Sequence, residues 1–357
     1  MKKFFILSFF TLLFFSCKNN NSKEKNEEYS IVDLYKKPVS EWPKPTIDKG
    51  VEWEELSPIT TDTAYYSTME NPEVVLGLKL FFDPKLSSSN QISCSTCHNP
   101  EMGWTTHTEK AIGHDHLEGS RNTPSIFNVA SKNIFFWDGR ASSLEEQAIG
   151  PIGAHNEMNM ELKKLPEKLS KIKAYPDLFL KAYGQKEITE DKILKALAAF
   201  QKTIKSQPSR VDDFMLGDYK ALNDSEIRGL HVFRTKGRCM NCHNGKYLTD
   251  QKFHNIGLTY YGREYEDLGR YNITKNPDDV GKFLTPSLRD LLNTRPWMHN
   301  GLFDDLIGVI SMYQSGMQMM NPTKEEKEAD PLYPVIDSLM KPLDLTVQES
   351  EDLEAFL

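Results

Sequence analysis

A mainly α-helical protein with long loops, folded as two halves divided near residue 220, is what the sequence predicts, and three observations carry that expectation. Helix-start signals recur ahead of apolar residues at helical spacing, strand-like alternation is scarce, and the text between helices is rich in glycine, proline and asparagine. The 357 residues, 39% of them hydrophobic, suffice for two ordinary cores. A formal charge of -8 argues against a nucleic-acid-binding surface and allows an acidic docking face.

The chain opens on MKKFFILSFFTLLFFSC, two lysines and an apolar run closed by Ser16 and Cys17. This pattern reads as an export signal over residues 1–17, and the small residue before cysteine is that of a bacterial lipoprotein, with Cys17 lipidated. An ordinary signal peptide with an incidental cysteine is the alternative. The run is short for a transmembrane anchor, and no later segment is long and apolar enough to span. The expectation is therefore a periplasm-facing lipoprotein held at a membrane through Cys17 alone. Residues 18–60, polar and then rich in proline and tryptophan, read as a tether with little core of its own.

Within the first half, residues 61–220, Asn71 and Pro72 form an N-cap and first helical position for EVVLGLKLFF, which Asp83 and Pro84 terminate. Thr189, Glu190 and Asp191 start another helix, whose Ile193, Leu197, Phe200 and Ile204 share one face and read as core. The second half, 221–357, begins at Asn223, with Glu226 placed for a capping box and Ile227, Leu230 and Phe233 facing inward. Its ending, DLEAFL, is apolar and lacks a stop signal, as a chain cut short would end.

Each half carries one CxxCH motif soon after a helix: Cys94, Cys97 and His98, then Cys239, Cys242 and His243. CxxCH attaches c-type haem: two thiols add across the vinyl groups and the adjacent histidine ligates iron. With Cys17 in the anchor, no cysteine remains for a long-range disulfide. Four thiolates could instead hold zinc, and a redox CxxC is a further alternative. The trailing histidine in both motifs and the export signal favour two covalent haems. What lies opposite each histidine decides the chemistry, because a filled sixth position favours electron transfer and an open one permits oxygen chemistry.

From about Glu70 onward the ordered strings CSTCHNP, AIGH, SRNTPSIFN, FWDGRA, NEM, CMNCHNG, TPSLRD and MHNG resemble the bacterial di-haem cytochrome c peroxidase family. The resemblance implies two cytochrome c-like haem domains, often in a homodimer, reducing hydrogen peroxide to water with electrons from a small c-type cytochrome or cupredoxin. It implies His98 as proximal ligand of the peroxidatic haem and His114 as its displaceable distal ligand, with His107 and His116 as neighbours of less claim. It further implies Glu157 as the distal acid that moves a proton during O–O cleavage, Gln147 in the same pocket, and Trp137 as a relay between haems. For a calcium ion it implies Asn122, with Thr294 and Pro296 offering backbone oxygens.

At the second haem the sequence departs from the many family members that place a methionine opposite the proximal histidine, here His243. Counting from His299 puts Tyr313 at that position and Met312 one residue short; His254 is a third candidate. Neighbouring helical residues point about 100° apart, so Met312 and Tyr313 cannot both face one iron. The tyrosine arrangement resembles the branch containing the enzyme that matures the tryptophan-derived quinone of methylamine dehydrogenase, and phenolate ligation favours ferric and higher states. Two rivals to peroxide reduction therefore stand: an oxidase directing peroxide-derived oxidising equivalents at a protein or small organic substrate, and a non-catalytic electron-transfer lipoprotein.

Overall fold

The computed structural model describes residues 31–317 and 321–357, so the expected signal segment and Cys17 lie outside the described residues. The first half is built on α1 (Pro72–Phe81), α2 (Leu144–Gly153), α3 (Tyr175–Tyr183) and α4 (Glu190–Gln201). The second half contains α5 (Asp224–Arg234), α6 (Leu306–Gln314) and α7 (Val347–Phe356), with a two-stranded antiparallel ribbon, β1 (Phe253–His254) and β2 (Phe283–Leu284), between α5 and α6. The fold is mainly α with long loops, as the sequence predicts. Among the described residues, no helix is long and apolar enough to cross a membrane.

Local signals act as their chemistry requires. The Asn71 side chain accepts from the Glu73 amide, Thr189 accepts from Lys192, and Asn223 and Glu226 close a capping box. Ile204, expected to prolong the α4 stripe, is buried but lies beyond the helix. The apolar DLEAFL ending forms the end of α7, opened by a Thr346–Glu349 capping box that the sequence reading missed.

Both halves use one packing device. α1 crosses α4 at Gly77, where a Cβ would stand 1.9 Å from the Ala196 carbonyl oxygen; α5 crosses α7 at Gly229, where a Cβ would stand 1.9 Å from that of Asp352. Only glycine lets the helix backbones meet this closely. Leu76, Leu80, Leu197 and Phe200 build the first core, and Ile227, Leu230, Phe233, Ile310 and Leu353 the second.

The tether expectation is corrected from residue 31 onward. Val32, Tyr35, Trp42 and Leu56 are buried in the second core. Trp42 Nε1–H donates to the carbonyls of Tyr35 and Lys37, both at 2.9 Å, and the fully buried Arg234 pairs with Glu55. The second CxxCH motif itself grips this strap: the side-chain oxygens of Asn241 and Asn244 accept from the Asp48 and Glu54 amides at 2.8 and 3.1 Å. Composition misleads here because a few widely spaced aromatics, rather than a periodic face, supply the burial. The division between cores also falls earlier than residue 220, since Phe214 packs with Trp42 in the second core.

Candidate haem sites

Each CxxCH segment is wound into a short turn that fixes its histidine. Ser93 and Thr96 close a capping box around Cys94–Cys97, and the His98 amide donates to the Cys94 carbonyl at 2.9 Å. Arg238, in the left-handed region at φ 56°, leads into the turn Cys239–Asn241, and the His243 amide donates to the Cys239 carbonyl at 2.8 Å.

The two imidazoles are oriented alike. His98 Nδ1 lies 3.0 Å from the Trp104 carbonyl, and His243 Nδ1 lies 3.1 Å from that of Leu248. A carbonyl can only accept, so Nδ1 carries the proton in both rings and Nε2 is left as a ligand. Burial lowers both histidines and so favours the neutral ring that binds metal. Burial also pushes the thiols of Cys94 and Cys239 up to about 12 and Cys97 up to about 11, and none of the four motif cysteines is in a disulfide.

Cys97, His98, Cys239, Cys242 and His243 all line one continuous cavity of about 410 Å3. Among the described residues, no metal-capable cluster joins thiols of the two motifs, which disfavours a shared tetrathiolate zinc site. A histidine with a free Nε2 beside two unpaired thiols, opening into an apolar-lined cavity, fits one haem at each motif.

On the first motif's side, Glu157 and Gln147 both face the cavity, with Phe136 and Arg140 beside them. Burial raises the Glu157 carboxyl above the ordinary range, and the Arg140 charge only partly opposes it. Phe136 also packs under the Arg140 guanidinium, whose centre is 3.4 Å from the ring centroid. On the loop of the implied distal ligand, Gly113 lines the cavity and His114 is not among the lining residues. The His114 Nε2 lies 3.5 Å from Asp115. His107 turns outward, its Nε2 3.3 Å from the Asn293 carbonyl, and His116 sits in left-handed backbone on the same loop as His114.

Trp137, which lines the cavity, donates its Nε1–H to the Asn122 carbonyl at 3.0 Å and stands edge-on to His299, with ring centroids 6.5 Å apart. His299 is stacked on Phe283 at 3.6 Å, and the Leu284 amide reaches the Trp137 carbonyl at 2.8 Å, so β2 holds the indole in place. Burial lowers His299 to about 4, and its Nε2 is buried with no partner among the described residues. Arg121 clamps the halves together, donating to Asp138 at 2.6 Å and to Asp267 at 2.6 and 2.8 Å. Asn122 and Thr294 both line the cavity, whereas Pro296 does not. The Asn122 side-chain amide lies 3.3 and 3.2 Å from the carbonyls of Thr108 and Glu109.

At the second motif, Leu306, Val309, Ile310 and Tyr313 share the cavity-facing side of α6, and Met312 does not. The i, i+3, i+4, i+7 spacing selects the tyrosine by the turn of the helix. Burial raises the Tyr313 phenol. His254 lines the cavity too, but its Nε2 is held by Asp250 at 2.9 Å and its Nδ1 by Asp337 at 2.6 Å, leaving neither nitrogen for iron. Tyr313→Phe is accordingly expected to change the visible and EPR spectra of the second haem, and Met312→Leu to leave them unaltered. The reverse pattern sinks the assignment.

The sequence reading missed Lys132, Phe136 and Arg140. Arg140 stands inside FWDGRA and was within reach. Lys132 carried no local signal; it lines the cavity, where burial lowers it to about 8, and offers a cation to the carboxylates that a haem carries.

Residues 71–220 match the family described as di-haem cytochrome c peroxidase. The chain is 39% identical over 290 residues to the methylamine utilization protein MauG of Methylorubrum extorquens, covering 80% of this chain and 77% of that protein. It is 37% identical over 236 residues to the cytochrome c551 peroxidase of Nitrosomonas europaea, covering 66% of this chain and 70% of that one. Among solved structures, a MauG-like protein associated with microbial copper homeostasis superposes with a TM-score of 0.71 at 28% identity, over 88% of this chain and 91% of the other. With two haem-fitting motifs facing one cavity and relatives aligned across most of its length, the chain belongs to the di-haem cytochrome c peroxidase family, oxidoreductases that act on peroxide.

Proposed function

We propose that this protein reduces hydrogen peroxide to water at the first motif, with electrons entering at the second from a small c-type cytochrome or cupredoxin. The observation that carries the reading is the half-buried Glu157 carboxyl, near enough to Cys97 to act on it and lining the same cavity as His98 and Gln147. When bound, haem supplies an iron that accepts peroxide and exchanges electrons; the chain supplies the rest. His98 and His243 present Nε2, each with its tautomer set by a backbone carbonyl. Glu157 as the carboxylate takes the proton from the near peroxide oxygen and returns it to the leaving one, and the Gln147 amide orients the pair. Trp137, locked by Asn122, Leu284 and His299, would relay electrons between the two motifs.

Asn122, Thr294 and Pro296 would offer oxygens to one calcium ion where the halves meet. The export signal and Cys17 would place the body on the periplasmic side of a membrane.

Tyr313 in the cavity favours a second reading, oxidation of a protein or small organic substrate, because a phenolate would lower the second haem's potential and weaken its draw on a donor. Peroxide-dependent oxidation of reduced small cytochrome c by the haem-loaded full chain, with calcium present, separates the readings. Sustained turnover supports peroxide reduction. Peroxide consumption that oxidises added phenols or proteins but spares the cytochrome supports the second reading, and neither activity returns the protein to simple electron transfer.

A further inference from the structure

The loop that carries His114 is a closed and tightly seated device. Ile112 pairs with Glu118 across it, and the Gly113 amide donates to the Leu117 carbonyl at 2.9 Å. It rests on the chain around Glu157: the His114 amide donates to the Glu157 carbonyl at 2.9 Å, and Asn156 Nδ2 donates to the Glu118 carbonyl at 2.9 Å. A Cβ at Gly113 would stand 2.3 Å from the Asn156 carbonyl oxygen, so the loop cannot shift on its seat without losing that close approach.

This seating brings two imidazoles and a carboxylate together outside the cavity. Asp115 and His116 are both in left-handed backbone, at φ 54° and 58°, a conformation that side chains other than glycine rarely adopt twice in succession. The reversal turns Asp115 back beside His114, with Oδ1 3.5 Å from Nε2. His155, on the supporting segment, presents its ring at 69° to that of His114 with centroids 5.7 Å apart. One ligand atom from each of His114, Asp115 and His155 lies within 4.8 Å of the others. His114 Nδ1 is buried with no hydrogen-bond partner among the described residues, so no other contact commits that ring.

We propose that His114, Asp115 and His155 form a binding site for a divalent transition-metal ion of the zinc or copper(II) type, distinct from both haem irons. Two imidazoles and a carboxylate are a ligand set of that class, with remaining positions open to water. Tetrahedral bonds of that class put ligand atoms about 3.4 Å apart. Asp115 and His155 are exposed, so their side chains can rotate inward by the small distance required. The ion also has a consequence for the first haem, resting on the peroxidase reading: it holds the His114 imidazole outside the cavity and keeps the face beside Glu157 clear for peroxide.

The test is calorimetric titration of the haem-loaded full chain with zinc chloride in calcium-containing buffer, alongside His155→Ala and Asp115→Asn. Wild type is expected to bind one equivalent that each variant weakens by about a hundredfold. Copper(II) in place of zinc is expected to show EPR hyperfine coupling to two imidazole nitrogens, reduced to one in His155→Ala. Absence of a zinc isotherm, or one that neither substitution changes, overturns the site. Zinc binding is read independently of turnover, so failure of the peroxidase reading and failure of the metal site are told apart. The locking role is overturned if zinc-saturated protein still converts, across the redox range, to a first-haem spectrum with a histidine in the sixth position.

Discussion

Glu157→Gln is expected to lower peroxide turnover by roughly 10²- to 10⁴-fold, the usual contribution of a positioned proton carrier. The amide keeps the shape of the side chain but cannot accept a proton. Haem loading, spectra and thermal unfolding are therefore expected to match wild type or better it, since a buried carboxylate that costs free energy when ionised has been removed. The pH profile adds a second readout. Burial raises the Glu157 carboxyl, with Arg140 partly opposing, and the working form is the carboxylate. Turnover should thus fall as pH drops through a value above the ordinary carboxylate range, and this limb should vanish in the variant. A variant that keeps wild-type turnover and the same limb removes Glu157 from the mechanism.

Asp267→Ala is expected to destabilise the protein by roughly 1.5–3 kcal/mol, the cost of losing the charge-assisted hydrogen bonds between the two side chains while Arg121 keeps Asp138. Arg121 is 13% exposed and Asp267 17%, and Asp138, the other partner of Arg121, is shared with Arg140. Burial alone would raise the Asp267 carboxyl, but the hydrogen bonds and charge of Arg121 outweigh it and hold the group below its ordinary value. A depressed carboxyl contributes stability that is complete above the unfolded-state pKa of about 3.9 and is lost as pH falls through the folded-state value. The variant should accordingly show a lower urea midpoint at neutral pH and a shallower further loss between about pH 4 and the acid limit. Equal midpoints at neutral pH would mean that the clamp between the halves contributes nothing. Because Arg121 also lines the cavity near Trp137 and His299, a slower transfer of electrons between the motifs is expected alongside.

Much of this protein was legible in its residues, because the informative features are local. Helix starts at Asn71, Thr189 and Asn223 are written in side chains that bond amides two or three residues on. CxxCH holds two thiols and a ligand within five positions, so its chemistry survives any fold that exposes it to haem. The ordered motifs pointed to the family that the relatives then showed. The strap at residues 31–60 was misread because its burial depends on Tyr35, Trp42 and Leu56 meeting α5 and the second motif, partners far away in the chain. Likewise, no sequence window shows that His114 stands beside Asp115 and His155, or that Asp250 and Asp337 occupy both nitrogens of His254. The choice between Met312 and Tyr313 lay between: helical periodicity says that only one can face inward, and the packing of α6 decides which. The sequence by itself determined which groups could attach and ligate haem, since that chemistry acts over a few bonds. Only the tertiary structure decided which side chains face the cavity, since burial and orientation are set by contacts among segments that the chain brings together from hundreds of residues apart.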